Sequence, residues 1–295
     1  MISPLDFIHD LFTPQLAFLP RALVVAALSS VICGVVGCHV VLRGMAFIGE
    51  AVAHSVFPGI TIAFALQTSL LLGGAVSGIA VALMIAVFSQ NRRLREDTLI
   101  GVFFAAAFSV GLVVISRTPG YTGSLQSFLF GSLTGVTDDD VVVVAVIGGV
   151  VLAVLLLFQR YLVAAGLDRE SARAAHLPVF WIDILIYLSV TAAVVMSVRT
   201  IGNILVLALL VTPAATARML TDRLGTMMAL APTFGLVASC LGIYLSWSLA
   251  IPTGAAIVLC STVLFILTWC AAPRRGAISM LVRSWRGRST TREVA

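Results

Sequence analysis

Glu50 and His54 stand one helical turn apart inside an apolar segment that continues to Leu66. Hydrophobic residues make up 60% of the chain and charged residues only 11%, which is the composition of a protein embedded in lipid. An ionisable side chain at membrane depth costs roughly 2.5–3.5 kcal/mol on insertion scales, so it marks a functional site. A carboxylate and an imidazole also belong to the ligand set of divalent transition metals. The pair therefore predicts a metal site within the membrane.

The spacing of this pair suits a site that binds its ion weakly. Residues i and i+4 share one face of a helix, so both side chains can point into one cavity. If the helix begins near Gly44, a rise of 1.5 Å per residue places His54 about 15 Å deep in a ~30 Å core. Two ligands leave the site open, and a symmetric dimer would bring four to its axis. A Glu–His hydrogen bond that stabilises packing and a proton relay are the alternatives.

The elements that must position the pair are apolar segments of about 20 residues, the length that a membrane-spanning helix requires. The sequence predicts nine of them: 17–40, 46–66, 69–89, 98–116, 141–158, 179–198, 201–219, 225–247 and 252–272. One segment could be re-entrant, so we expect an all-α polytopic membrane protein with 8–9 transmembrane helices. Residues 1–272 then form one transmembrane domain, and residues 273–295 form a basic cytoplasmic tail.

The arginines indicate which side of the membrane each loop faces. All 18 basic residues are arginine, and 15 of them fall in alternate loops and the tail, which are cytoplasmic by the positive-inside rule. The C-terminus is therefore expected in the cytoplasm. This charge suits contact with membrane lipid or a protein partner better than contact with nucleic acid.

Helices interrupted by proline or glycine also indicate a substrate pathway near the Glu–His pair. The polar loop at 159–178, with the fifth segment, divides the chain into two four-helix halves of opposite topology, as in inverted-repeat transporters. The second segment contains Pro58 and Gly59, and its counterpart, the seventh, contains Thr212 and Pro213. Interrupted segments at matching positions mark a substrate pathway, and proline frees a backbone carbonyl there. The pair lies on one of these two helices.

The loop at 159–178, called here the coupling loop, is cytoplasmic by the charge rule and contains a candidate short helix. Asp168 is suited to cap this helix, which would run through Ala175. We expect it to contact a soluble partner through Asp168, Arg169, Glu170, Ala172 and Arg173. A solvated connector without a partner is the alternative.

The motifs that the sequence lacks limit what the chain does by itself. It has no lysine, so it cannot form the Gly-rich loop ending in Gly-Lys-Ser/Thr that binds ATP phosphates. It contains neither His-Glu-x-x-His nor Gly-x-Ser-x-Gly, which weakens an interpretation as an intramembrane metalloenzyme or hydrolase. We therefore expect a non-catalytic subunit, with any ATP bound by a partner.

Five stretches stand in a specific order along the chain. They are Arg-Ala-Leu at 21–23, Val-Leu-Arg-Gly-Met-Ala-Phe-Ile-Gly-Glu-Ala-Val-Ala-His at 41–54 with Pro58 and Gly59 following, Phe-Leu-Phe-Gly-Ser-Leu at 128–133, Leu-Asp-Arg-Glu-Ser-Ala at 167–172 and Leu-Leu-Val-Thr-Pro-Ala-Ala-Thr-Ala-Arg at 209–218. With these stretches the chain resembles, over nearly its whole length, the membrane permeases of the zinc/manganese/iron ABC importers.

The resemblance implies a homodimeric permease of the bacterial cytoplasmic membrane, working with cytoplasmic ATP-binding subunits and an extracytoplasmic metal-binding protein. It implies that Glu50 and His54 take the places of a metal-binding aspartate and histidine, that manganese, zinc or iron is transported, and that no cofactor is bound permanently. The stretch 167–177 matches the helix that docks on the ATPase. Two departures affect these roles, because Glu50 replaces the family aspartate and His176 replaces a usual glycine.

Two other transport classes stay open. A permease for a bulky metal chelate, such as a siderophore or cobalamin, would share the architecture but would need a wide cavity rather than a Glu–His pair. A secondary metal or proton transporter would use the pair as a proton relay and would need no ATPase. Outside the pair, His39 and Asp183 are expected at the membrane interface.

Overall fold

The computed structural model describes residues 4–90, 96–117 and 135–272, and the regular elements within these ranges are helices. In chain order they are α1 (Pro4–Leu11), α2 (Phe18–Leu42), α3 (Ile48–Ala65), α4 (Leu70–Phe88), α5 (Glu96–Arg117), α6 (Asp138–Leu157), α7 (Gln159–Leu167), α8 (Arg169–Ala174), α9 (Val179–Ile201), α10 (Asn203–Leu220), α11 (Leu224–Leu249) and α12 (Thr253–Ala271). The predicted tail 273–295 and the stretch 128–133 lie outside the described residues.

Seven helices in the described ranges are long and apolar enough to cross a membrane, namely α2, α3, α4, α6, α9, α11 and α12. Two shorter apolar stretches, 98–114 and 205–220, lie in α5 and α10. Each predicted segment coincides with one of these helices to within a few residues, so the all-α polytopic architecture is confirmed. Lipid offers the backbone no hydrogen-bond partners, so an apolar segment in it becomes a helix. The number of spans and the opposed halves stay predictions.

The central helices are α2 and α3. α2 packs against α6, α9, α10 and α11, whereas α3 packs against α4, α5, α9 and α10. By contrast, α4, α6 and α12 expose large apolar side chains, including Val76, Val146 and Leu259. Lipid tails are as apolar as such side chains, so these helices suit the lipid-facing periphery. The helix that contains Glu50 and His54 is therefore an interior one.

Glycines let pairs of helices approach to backbone contact. A methyl group placed on Gly59 of α3 would meet the backbone carbonyl of Gly73 in α4, and one on Gly73 would meet the carbonyl of Gly59. A methyl group on Gly37 of α2 would meet the carbonyl of Leu210 in α10. Small residues at such crossings give membrane helices close van der Waals contact, which they need because no hydrophobic force drives them together. The position of α3 against α4 depends on this contact.

Proline interrupts α3 and α10 without ending either helix. Pro58 lies inside α3 and Pro213 inside α10, and both are buried. Just before Pro58, the backbone carbonyl of Ser55 accepts a hydrogen bond from the hydroxyl of Ser77 in α4. Neighbouring helices commonly supply such bonds around a proline in a membrane. Just before Pro58, α3 is thus hydrogen-bonded to the same helix that crosses it at Gly73.

A left-handed turn at Gly44 joins α2 to α3. Gly44 has a φ of 71°, a conformation that glycine adopts readily. Its amide donates to the carbonyl of Val41 at 3.2 Å, and the amide of Met45 donates to Val40 at 3.1 Å, which is the Schellman pattern. The amide of Ile48, at the start of α3, donates to the carbonyl of the buried Met45 at 3.1 Å. This closed turn determines where α3 begins.

Candidate functional site

α3 holds Glu50 in its first turn and His54 one turn later, as the sequence predicts. Both side chains are half-buried, and the carboxylate lies within electrostatic reach of the imidazole. Beside them, Gly49 faces Leu207 and Leu210 of α10, because a methyl group at Gly49 would meet both leucine side chains. The candidate ligands therefore lie where α3 begins, next to the residue through which α3 meets the other proline-interrupted helix.

Two phenylalanine rings of α5 hold the imidazole of His54. Phe104 and Phe108 meet it edge-on, with ring centroids 4.9 and 5.0 Å away and interplanar angles of 76° and 83°. The two phenyl rings are nearly parallel to each other, at 7°. Edge-to-face contacts fix the orientation of a ring through its quadrupole and its packing. The imidazole is thus oriented without a hydrogen bond from these neighbours.

One nitrogen of this ring has no partner. Nδ1 of His54 is buried, and in the part of the chain that the structure describes it makes no hydrogen bond. A buried polar atom in this state requires a physical explanation, such as an ion or a water molecule that binds there. The alternative of a Glu–His hydrogen bond that only stabilises packing finds no support at this atom. An imidazole nitrogen that is held in place and left free is suited to bind a metal.

The chain offers an open site rather than a closed one. Across residues 4–90, 96–117 and 135–272, no group of three or more His, Cys, Asp or Glu side chains is arranged so that it could hold a metal ion. Glu50 and His54 can therefore supply two ligands per chain, fewer than the four of a structural zinc site. Two ligands per chain suit transient binding of an ion.

The residues predicted to line a pathway lie on helices in contact with each other. Pro58 and Gly59 lie one turn beyond His54, where α3 packs against α4 and α5. Thr212 is half-buried and Pro213 is buried in the middle of α10. α3 contacts α10, so the structure brings the two interrupted helices together. The role of these four residues as walls of a pathway stays a prediction.

α8 is the short helix predicted within the coupling loop. The side chain of Asp168 accepts a hydrogen bond from the hydroxyl of Ser171 and another from the amide of Glu170 at 2.9 Å, so its predicted role as the cap is confirmed. These bonds, that of Ser171 first, hold the pKa of the Asp168 carboxyl below its usual range. Ala172 is buried, whereas Asp168 and Glu170 are exposed. The helix therefore presents its acidic end outward.

α8 ends in a left-handed turn and is tied to the end of α4. His176 has a φ of 57°, a left-handed conformation that glycine adopts more readily than other residues. The amide of Leu177 donates to the carbonyl of Ala172 at 3.0 Å, as in a Schellman motif. Arg173 donates to the side-chain oxygen of Gln90, just beyond α4, at 3.2 Å. The histidine thus keeps the helix end that glycine forms with less strain.

Asp183 in α9 is buried within the protein. Its side chain is 3% exposed and accepts hydrogen bonds from Arg43, at 2.9 Å, and from Arg169. His39 is buried too. The predicted depth of both residues at the membrane interface stays a prediction. A charged residue five positions into an apolar segment is a sequence signal for a special role. Its partners are 140 and 14 residues away, so no local pattern reveals them.

Comparison with known proteins extends these observations. Residues 15–272 match the ABC 3 transport family. The chain is 39% identical over 287 residues to the manganese transport system membrane protein MntC of Halalkalibacterium halodurans, covering 97% of each. It is 34% identical over 267 residues to the chelated iron transport system membrane protein YfeC of Yersinia pestis, covering 90% of each. The solved structure of PsaBC from Streptococcus pneumoniae in complex with Fab has a TM-score of 0.82 and 31% identity, over 92% of this chain and 98% of that one.

These matches span nearly all of the helices. The resemblance that the five stretches indicate is thereby confirmed, and the chain is a multi-pass membrane transport protein rather than an enzyme. Its apolar helices, with proline inside α3 and α10, suit a transport role. The chain belongs to the ABC 3 transport family.

Proposed function

We propose that this chain is the permease subunit of an ABC importer that carries a divalent transition metal, manganese or iron, across the bacterial cytoplasmic membrane. The proposal rests mainly on His54, whose buried Nδ1 has no partner in the described residues and lies one turn from a carboxylate in a membrane helix. The names of two relatives, a manganese transport membrane protein and a chelated iron transport membrane protein, support a metal as cargo.

A homodimer would complete the site in this proposal. Two copies related by a two-fold axis would bring two carboxylates and two imidazoles together. Carboxylate suits manganese and imidazole suits iron, so the set is compatible with either ion. Ligands divided between two chains can also separate when the dimer changes shape, which would release the ion. No resident cofactor is needed, because the metal is the cargo.

The proposed partners act on opposite sides of the membrane. A metal-binding protein delivers the ion from outside, and separate cytoplasmic subunits bind and hydrolyse ATP. On this chain α8 is the proposed contact for those subunits, through Asp168, Arg169, Glu170, Ala172 and Arg173. The exposed Asp168 and Glu170 and the buried Ala172 support this role, since one side of the helix faces outward and the other packs against the protein. Movement of α8 would then switch the side from which Glu50 and His54 are open, with the C-terminus in the cytoplasm.

Transport in proteoliposomes tests the proposal directly. The permease is reconstituted with its ATP-binding subunits, the metal-loaded binding protein is supplied, and accumulation of manganese, iron and zinc is followed with and without ATP. We expect ATP-dependent accumulation of free manganese or iron. Accumulation of an intact chelate alone would indicate a chelate permease, and accumulation driven by a proton gradient without ATP would indicate a secondary transporter. Either result would contradict the proposal.

Phe104→Ala is expected to raise the metal concentration for half-maximal uptake about two- to tenfold, because an edge-to-face aromatic contact contributes about 0.5–1.5 kcal/mol to holding His54. The matched control is Phe103→Ala on the same helix, since the ring of Phe103 packs on Phe88 at 5.4 Å. Uptake is measured over a range of metal concentrations at equal permease density. Equal losses in the two variants would show that the rings act only through the stability of α5.

A further inference from the structure

Asp183 connects two arginines from different parts of the chain. Its Oδ1 accepts a hydrogen bond from Nη1 of Arg43 at 2.9 Å, and its Oδ2 accepts one from Nη2 of Arg169. Arg43 also donates from Nη2 to the backbone carbonyl of Leu162 in α7 at 3.4 Å. We call the set Arg43, Asp183 and Arg169 the Asp183 bridge. It joins four segments: the end of α2, the loop helices α7 and α8, and the membrane helix α9.

The Asp183 bridge connects α8 to the turn that determines where α3 begins. Arg169 is the first residue of α8, and Arg43 is the last residue before the left-handed turn at Gly44. Six residues after Gly44 the chain reaches Glu50. One carboxylate therefore separates the helix proposed to meet the ATPase from the turn that positions the proposed metal ligands. Two of the stretches quoted for the resemblance, 41–54 and 167–172, meet at this carboxylate.

The two ends of the bridge differ in exposure. The side chains of Asp183 and Arg43 are 3% and 8% exposed, whereas that of Arg169 is 31% exposed. Separating a buried ion pair leaves an uncompensated charge in a low-dielectric interior, which is strongly unfavourable. Arg169 can exchange Asp183 for water at much lower cost, because it already contacts solvent. The ion pair between Arg43 and Asp183 therefore stays formed, whereas the ion pair between Arg169 and Asp183 can break and form again.

We propose that the Asp183 bridge transmits movement of α8 to the α2–α3 turn, and so determines how much metal moves for each ATP hydrolysed. This inference rests on the function proposed above. The three residues are positioning residues, because they act on the ion through the placement of Glu50 and His54. When the ion pair between Arg169 and Asp183 breaks, the α2–α3 turn no longer follows the movement of α8. When the ion pair forms again, the coupling is restored.

The test compares three variants of the complete reconstituted transporter: Arg169→Gln, Arg169→Lys and, as a control, Asp222→Asn. Asp222 pairs with Arg218 four residues earlier, and the two side chains are 56% and 34% exposed, so this ion pair joins no distant segments. ATP hydrolysis and manganese or iron uptake are measured on the same proteoliposomes. For Arg169→Gln we expect the metal moved per ATP hydrolysed to fall at least about fivefold. Hydrolysis and uptake are both expressed per bound ATP-binding subunit, because Arg169 is also one of the proposed contacts for those subunits. Arg169→Lys, which keeps the charge opposite Asp183, retains most of the ratio, and Asp222→Asn leaves it unchanged.

Asp183→Asn, alone and combined with Arg169→Gln, completes a double-mutant cycle. If the bridge acts as a unit, the double variant loses no more coupling than Asp183→Asn alone. Losses of metal moved per ATP that add in the double variant, or an unchanged ratio in Arg169→Gln, would overturn the proposal. If Asp183→Asn does not fold, the metal moved per ATP is compared between Arg169→Gln and Arg169→Lys alone. Equal ratios in these two variants would then overturn the proposal. A wild-type transporter that moves no metal would instead reject the proposed function, and this inference with it.

Discussion

His54→Ala is expected to lower ATP-dependent metal uptake about a hundredfold or more while the permease still assembles. Even groups that only support a metal ligand change metal affinity about 10–100-fold when they are removed, so loss of the ligand itself has at least that effect. Alanine removes the imidazole from between α3 and the two phenyl rings of α5, and α3 keeps its contacts with α4 and α10. Uptake of manganese and iron is measured in proteoliposomes at equal permease content.

The carboxylate of the pair is tested by two substitutions that differ in charge. Glu50→Gln keeps the shape of the side chain but removes its charge, so we expect uptake to fall as it does for His54→Ala. Glu50→Asp keeps the charge and shortens the side chain by one methylene group, so it is expected to retain uptake while changing the preference between manganese and iron. His9→Ala, at an exposed histidine of α1, is the control for histidine loss. If uptake survives in both His54→Ala and Glu50→Gln, the pair is structural and the proposed site is wrong.

Gly59→Ala is expected to destabilise the permease by about 1–3 kcal/mol, which is typical of an overpacked core. The new methyl group would meet the backbone carbonyl of Gly73 and the side chain of Ser77, and a backbone atom cannot move aside as a flexible side chain does. α3 and α4 would have to separate at the crossing, one turn from His54. We therefore expect a lower unfolding temperature in detergent and a lower uptake rate for this variant.

Gly101→Ala is the matched control for this overpacking. Gly101 lies in α5, and a methyl group placed on it would meet no atom within 4 Å. Alanine is also favoured over glycine in a helix by about 1 kcal/mol, so this variant is expected to unfold at the wild-type temperature or slightly above it. Gly73→Ala, on the other side of the crossing, is expected to behave like Gly59→Ala. Similar unfolding temperatures for Gly59→Ala and Gly101→Ala would show that α3 and α4 do not cross as closely as described.

Local features of the sequence predicted the helices and the position of the candidate ligands on one of them. The apolar segments coincide with the helices because a backbone in lipid satisfies its hydrogen bonds only as a helix. The cap at Asp168 follows from the ability of a short acidic side chain to accept bonds from the next turn. The placement of Glu50 and His54 on neighbouring turns follows from helix periodicity alone.

The sequence by itself thus determined that this is a helical membrane protein with an ionisable pair in its second apolar segment, because composition and local spacing control both. Only the tertiary structure decided what surrounds that pair: Phe104 and Phe108 against His54, Gly73 against Gly59, and Arg43 and Arg169 around Asp183. A soluble helix shows its buried face through its apolar stripe. Membrane helices are apolar on every side, and their packing depends on small residues and buried polar pairs far apart in the chain. Which faces meet is therefore known only once the helices are packed.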